Sequence, residues 1–341
     1  MNAPSIATTE FRTPALLHGA RELVRALTAA RAREIGDTVV DLALSEGVGP
    51  WLGARLARQR VSVPAARVEQ LAWEHQMCLA ANLVRIRATT AFAERCQRVG
   101  IALVSLKGMA MIQGIIDPGA RSMTDVDLLV PAARWHEACD LAACMPGARE
   151  LGAPSRGYTI THDYVRAFVL PSGVTFEVHR FLCEASLFAI DYESPEGLFA
   201  RAAPGPSGVS VLNDGELFLT LAAHAAKHTF ELPLRSFLDG IVLMQRGHLN
   251  LDQLQRRAKQ WRMEKAFRLW VRTLVTLAPS LAAPPDEQAA PLLAGLVWSR
   301  TSELVAWQRF VRLAWIADRP VDWARHILTR TAFRLRDAAS L

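Results

Sequence analysis

The chain has 341 residues, of which 51% are hydrophobic and 21% are charged, and its formal net charge is +6. It is long enough for two or three globular domains, and it contains no run of about 18 apolar residues, which argues against a membrane span. The mild excess of basic residues suits an anionic substrate. Because arginine is spread along the chain, we do not expect nucleic acid as a partner.

The start of the chain and its cysteines predict the compartment. Residues 1–24 carry an early acid and no continuous apolar segment, so we do not expect a signal peptide. The five cysteines form no C-x-x-C pair and are interpreted as reduced, mostly packed thiols. These features predict a cytoplasmic protein.

Residues 14–100 have a helical pattern. Apolar residues recur at three and four positions through 14–36, which predicts a first helix that ends at the glycine. Asp37 is predicted to cap a second helix, and residues 49–60 form a third short one. A long helix is predicted from Pro64 to Gly100. We therefore expect residues 1–100 to form an N-terminal helical domain.

The character of the sequence changes at residue 101. Short apolar runs next to glycine or proline predict buried strands, and the third run alternates apolar and polar residues. The predicted strands are 101–108 (IALVSLKG), 124–131 (TDVDLLVP) and 173–182 (GVTFEVHRFL), with helices over 109–116 and 132–145. Strands that alternate with helices predict a small α/β core over residues 101–185.

The rest of the chain is predicted to be a C-terminal helical domain, residues 186–341. Helical periodicity covers 214–230, 235–245 and 251–277. The Pro/Ala-rich stretch 278–291 is interpreted as a loop or linker. Two further helices follow, of which the last is basic.

Two aspartates on one predicted strand are the first chemical signal. Asp125 and Asp127 are two residues apart, so on a strand their side chains point to the same face. Glu177, on another predicted strand, joins them if the two strands are neighbours. Three carboxylates in contact need a counter-charge, and magnesium prefers such oxygen ligands. The sequence therefore predicts a magnesium site at these three residues.

The segments before the aspartates supply candidate phosphate ligands. Lys107 and Gly108 end a predicted strand, where a glycine lets the backbone approach a phosphate and the lysine adds a charge. Arg121 lies in a Gly-containing loop, which is expected to be flexible and to swing the guanidinium onto a phosphate. The alternatives are a surface lysine at 107 and an Arg121 that pairs with Asp117 or Asp125.

The motifs VSLKGMAM, PGARSMTDVDLLVP and FEVHRFL together resemble the nucleotidyltransferase superfamily that includes DNA polymerase beta. The closer resemblance is to a bacterial branch of uncharacterised nucleotidyltransferases, and it covers roughly residues 100–265, with LNDGELFLTLAAHAAKH and FLDG as its helical part. In the wider superfamily Gly-Ser or Gly-Gly stands where this chain has Lys-Gly.

This resemblance implies an α+β fold with a small mixed-sheet core between N-terminal and C-terminal helical domains. It implies that Asp125 and Asp127 bind two magnesium ions and that Glu177 completes the metal site on the acceptor side. The donor is expected to be a nucleoside triphosphate such as ATP, or a nucleotide sugar. The expected acceptor is a peptide or small molecule in a tailoring pathway.

Several residues near these motifs have more than one interpretation. Lys227 and His228 are expected to face the cleft and meet the nucleotide, whereas His224 packs inside the helices. Asp239 could hold one of the histidines, and His179 is a candidate to support the metal ligands. Glu177 also has an interpretation as a solvent-facing acid in an ion pair.

Two other functions remain open from the sequence alone. One is a catalytically silent nucleotide-binding module that recruits a partner. A protein that had lost its activity would, however, be expected to have lost one of the three carboxylates, and all three are present. The other is a metal-dependent phosphohydrolase that uses His224 and His228, since residues at i and i+4 share a helix face.

Overall fold

The computed structural model describes residues 14–29, 33–151, 164–183, 186–281, 313 and 316–328. The helices are α1 (Pro14–Thr28), α2 (Asp37–Ser45), α3 (Gly49–Ala57), α4 (Ala65–Arg98), α5 (Lys107–Ile112), α6 (Trp135–Ala143), α7 (Asp214–Lys227), α8 (Leu234–Gln245), α9 (Leu251–Gln260) and α10 (Glu264–Leu277). Residues 320–328 are also helical. The strands are β1 (Arg33–Glu34), β2 (Val61–Ser62), β3 (Val104–Ser105), β4 (Val126–Leu129), β5 (Arg149–Leu151), β6 (Val165–Val169), β7 (Thr175–His179), β8 (Ala202–Pro204) and β9 (Ser210–Leu212).

The described strands β3 to β9 form one mixed sheet in the order β5-β6-β7-β4-β3-β9-β8. The pairs β4/β7 and β3/β9 are parallel, and the other neighbours in the sheet are antiparallel. All four residues of β4 are buried, including Asp127, as expected for a central strand that is covered on both faces. The predicted α+β fold with a small mixed sheet is confirmed.

One face of the sheet is covered by α4 and α6. Phe92 of α4 stacks on Phe176 of β7 with ring centroids 5.5 Å apart. The indole Nε1 of Trp135, the first residue of α6, donates a hydrogen bond of 2.9 Å to the carbonyl of Val178. Because these groups are buried, they fix the position of β7 relative to the helices.

A second, larger apolar core contains helices from both ends of the chain. It includes buried residues of α1, α2 and α3 together with buried residues of α7, α8 and α10. Helix α1 contacts α8 and α10, and Arg21 Nε donates to the carbonyl of Thr276 at 2.7 Å. Helices of the predicted first and third domains thus pack on each other, and the boundaries at residues 100 and 185 stay a prediction.

Three helix predictions require correction. Helix α1 ends at Thr28 rather than Gly36, because β1 follows and pairs with β2, with Ile35 N donating to Ser62 O at 3.0 Å. Asp37 is the first residue of α2, and Gly36 holds the cap position. The predicted single helix over 251–277 is two helices, separated by a turn at Arg262, whose φ is +56°.

The long helix α4 begins directly after Pro64, as predicted. The predicted linker 278–291 and the two last helices lie largely outside the described residues, apart from the helical segment 320–328. Four of the cysteines are buried and Cys144 is exposed, in agreement with mostly packed thiols. Within the described parts of the chain, no helix combines the length and apolar character needed to cross a membrane.

Candidate functional site

The parallel pairing of β4 and β7 brings the predicted acids together. Asp127 lies opposite Glu177 in the register, and Leu129 lies opposite His179. Residues paired across neighbouring strands share a face of the sheet, and so do residues i and i+2 on one strand. Asp127, Glu177 and His179 therefore project from the same face.

These three side chains form a compact group. His179 Nε2 lies 3.0 Å from Asp127 Oδ1 and 3.2 Å from Glu177 Oε2. One ligand atom of each residue lies within 4.8 Å of the other two. Asp127 and His179 are buried, whereas the side chain of Glu177 is 30% exposed and thus accessible to solvent. This geometry suits the binding of a cation.

Lys107 supplies a positive charge to the same group. It is the first residue of α5, and its Nζ lies 2.5 Å from Asp127 Oδ1. Its φ of +47° is uncommon for a non-glycine residue, and such backbone geometry clusters at functional sites. Burial alone would raise the pKa of Asp127, but the Lys107 ammonium and His179 hold it well below its usual value. Asp127 is therefore a carboxylate in the folded protein at any ordinary pH.

Asp125 lies one step outside the group. It precedes the first residue of β4, is half-buried, and does not belong to the set of ligand atoms formed by Asp127, Glu177 and His179. Burial and the negative charge of Asp127 raise the pKa of Asp125, partly opposed by Lys107. The structure thus brings two of the predicted carboxylates to within 4.8 Å of each other and leaves the third nearby.

Gly108 lies where two segments approach closely. A Cβ atom at this position would be 2.6 Å from Sδ of Met123, in the loop before β4. The glycine thus allows α5 to pack against the loop that carries Asp125. Its predicted contact with a phosphate, like that of Lys107, stays a prediction.

Arg121 differs from the expectation of a mobile phosphate ligand. It is 5% exposed and makes two hydrogen bonds of 2.7 Å to the carboxylate oxygens of Asp239 on α8. A third bond joins its Nη1 to the carbonyl of Ser122. Since this guanidinium is buried and held by a carboxylate, it cannot swing onto a phosphate without breaking the pair. Asp239, considered as a partner of the histidines, binds Arg121 instead.

The loop that carries Arg121 is also held by α4. Asn82 Nδ2 donates to the carbonyls of Pro118 and Arg121 at 2.6 and 2.7 Å. His75 Nδ1 lies 3.2 Å from the carbonyl of Gly119. A loop with several buried hydrogen bonds is ordered, not flexible. Neither Asn82 nor His75 was predicted, because single polar residues on a long helix give no signal in the sequence.

The end of α7, with His224 and His228, lies within electrostatic reach of Lys107 and Asp127. The rings of His224 and His228 are 4.6 Å apart, and Lys227 Nζ lies 4.6 Å from the ring centroid of Tyr164. Desolvation and nearby lysines lower the pKa of His224 well below its usual value and that of His228 to about 4. Both histidines are thus neutral at pH 7. The nucleotide contacts of Lys227 and His228 stay a prediction.

The charges of the group fit a divalent cation. Lys107 lies near three carboxylates, those of Asp127, Glu177 and Asp125. Both polar contacts of Asp127 use Oδ1, so its second oxygen can serve as a ligand. In addition, His179 Nδ1 is buried and has no hydrogen-bond partner among the described residues. Carboxylates with one imidazole are a common donor set for divalent metals.

Comparison with known proteins identifies a family for this chain. The model of a family described as an uncharacterised nucleotidyltransferase matches residues 36–279, which include the whole sheet and the helices α2 to α10. No curated protein and no solved structure gives a match. The match spans well over half of the chain and contains every residue of the group around Asp127. The chain therefore belongs to this nucleotidyltransferase family and is a transferase that acts on a nucleotide substrate.

Proposed function

We propose that the protein is a magnesium-dependent enzyme that transfers a nucleotidyl group from a nucleoside triphosphate, or a group from a nucleotide sugar, to an acceptor. The preferred acceptor is a hydroxyl or phosphate of a peptide or small molecule. One observation carries the proposal: Asp127 and Glu177 face each other across the adjacent parallel strands β4 and β7, with Asp125 just before β4 and Lys107 in contact with Asp127. Such a site attracts hard divalent cations.

Each residue of the group has a distinct role in this proposal. Asp125, Asp127 and Glu177 hold two magnesium ions, which when bound neutralise the phosphates and lower the pKa of an acceptor hydroxyl. His179 orients the Asp127 and Glu177 carboxylates through its Nε2 contacts. Lys107 keeps Asp127 ionised.

The remaining predicted residues contact the nucleotide or position the site. Lys107 and Gly108 approach the phosphates, and Lys227 and His228 face the nucleotide from α7. Arg121 acts indirectly, because its pair with Asp239 fixes the loop before Asp125.

The transfer from a nucleoside triphosphate balances as follows. An oxygen of the acceptor forms a bond to the α-phosphorus, and the bond from that phosphorus to the bridging oxygen breaks. Pyrophosphate leaves, and the proton of the acceptor hydroxyl is released. Positioning and charge neutralisation supply most of the rate enhancement in this class of reaction.

Thermal unfolding with each of the four ribonucleoside triphosphates and several nucleotide sugars, with and without magnesium, tests the proposal. We expect a magnesium-dependent rise in Tm with a donor nucleotide in the wild type and its loss in Asp127→Asn and Glu177→Gln. Asp140→Asn, an exposed aspartate on α6, is the matched control and should retain the rise. A rise that is unchanged in Asp127→Asn, or no rise with any nucleotide, would refute the proposal.

A further inference from the structure

Two arginines outside the predicted motifs lie near the loop that carries Asp125. The first is Arg85 of α4, whose Nη1 donates to Asn82 Oδ1 at 3.1 Å. Its Nε is buried and has no hydrogen-bond partner among the described residues. Within those residues it has no carboxylate at ion-pair distance. The amide of Asn82 in turn holds the carbonyl of Arg121, four residues before Asp125.

The second arginine is Arg235, in the first turn of α8. In the described part of the chain it makes neither a side-chain hydrogen bond nor an ion pair. Its Nη1 lies against Gly47, where an added Cβ would be 2.5 Å away. The carbonyl of Gly47 accepts a hydrogen bond of 2.6 Å from Ser122, three residues before Asp125.

The surroundings of both guanidinium groups are unfavourable for a cation. Burial lowers the pKa of Arg85 and of Arg235, and the charge of Arg121 lowers the latter further. Arg235 also lies at the positive end of a helix dipole, where an anion is favoured. The negative charge of Asp125 acts in the opposite direction and raises the pKa of both arginines. An anion bound between them would relieve these costs.

Position and charge together indicate what binds there. Arg85 and Arg235 approach the loop from different helices, and Lys107 faces the same aspartates from α5. In addition, planar guanidinium groups with several N–H donors match the geometry of phosphate oxygens. We propose that Arg85 and Arg235 form a clamp that binds the phosphate groups of the nucleotide donor beside Asp125. This inference rests on the proposed function and assigns to these two residues the phosphate contact first expected of Arg121.

Binding of inorganic tripolyphosphate, a probe without base or sugar, tests the clamp. Its Kd would be measured calorimetrically with magnesium for the full-length wild type and for Arg85→Gln and Arg235→Gln. We expect each substitution to weaken binding about 10- to 100-fold, the range of a lost charged hydrogen bond. Arg87→Gln, an exposed arginine of α4, is the control and should bind as the wild type does.

A second readout separates phosphate binding from support of the loop. The Kd for ATP should weaken in both variants, whereas that for adenosine should not change. Arg85→Lys and Arg235→Lys should recover part of the lost affinity for tripolyphosphate. Equal affinities for tripolyphosphate in the wild type and both glutamine variants, or no binding by the wild type, would overturn the clamp. Tripolyphosphate binding that depends on both arginines but not on Asp127 would support the clamp and count against the proposed metal-dependent transfer.

Discussion

The buried pair of Arg121 and Asp239 gives the sharpest stability prediction. Two hydrogen bonds of 2.7 Å join these side chains, which are 5% and 1% exposed. Asp239→Ala removes both bonds and leaves the guanidinium buried without its carboxylate. Charged hydrogen bonds are worth about 1.5–3 kcal/mol each, and loss of one partner of a buried pair costs about 3–5 kcal/mol. We therefore expect the free energy of unfolding to fall by about 3–5 kcal/mol.

Urea unfolding followed by circular dichroism measures this change. Asp140→Ala on α6 is the control, because an exposed aspartate should alter stability by no more than about 0.5 kcal/mol. The double substitution Arg121→Met/Asp239→Leu removes both charges and should recover a large part of the loss. If Asp239→Ala behaves like the control, or if the double variant loses the sum of both single effects, the pair does not hold the loop as described.

Three further predictions concern the group around Asp127 and its supports. Lys107→Met should lower stability by about 2 kcal/mol in the presence of chelator, and magnesium should restore part of this stability by replacing the lost charge. Thermal unfolding with and without magnesium checks this. A loss of stability that is equal with and without magnesium would contradict it. Gly119→Ala should destabilise by about 1–3 kcal/mol, because a Cβ would overlap the ring of His75; Gly36→Ala, with open space around it, is the control in urea unfolding. His224 has a pKa well below 6.5 in the folded protein, so the unfolded chain binds more protons and wild-type stability falls as the pH drops below about 6.5. In His224→Gln the fall in stability between about pH 7.5 and 5.5 should be shallower than in the wild type. Urea unfolding at several pH values measures this. If stability falls equally with pH in both proteins, His224 does not cause the fall.

The central part of the fold was predictable because local patterns and tertiary structure agree there. The apolar run around Asp127 and the alternation around Glu177 predict β4 and β7, and the structure confirms that these strands are neighbours. Helix α4 was predicted from Pro64 at its start and Gly100 after its end, and it spans Ala65–Arg98. Local patterns were enough to identify these elements, although not every boundary between helices.

Other features depend on contacts that no local pattern contains. Strands β5, β6, β8 and β9 were not predicted, because they form through pairing with neighbours in the sheet. Arg121 was expected to be mobile, since its partner Asp239 lies 118 positions away. His179 was considered a supporting residue, and only the pairing of β7 with β4 shows that it lies against both carboxylates. Long-range pairing decided each of these cases.

The contact between the two ends of the fold has a consequence for synthesis on the ribosome. The partner of Arg21 in α1 is the carbonyl of Thr276, at the end of α10. Thr276 is synthesised 255 residues after Arg21. At about 5–20 residues per second, that interval lasts roughly 13–50 s. During this time the apolar face of α1 has no α8 or α10 to cover it, and Asp239 reaches Arg121 only late. Co-translational folding should therefore leave the loop before Asp125 without its Arg121–Asp239 pair until α8 leaves the exit tunnel.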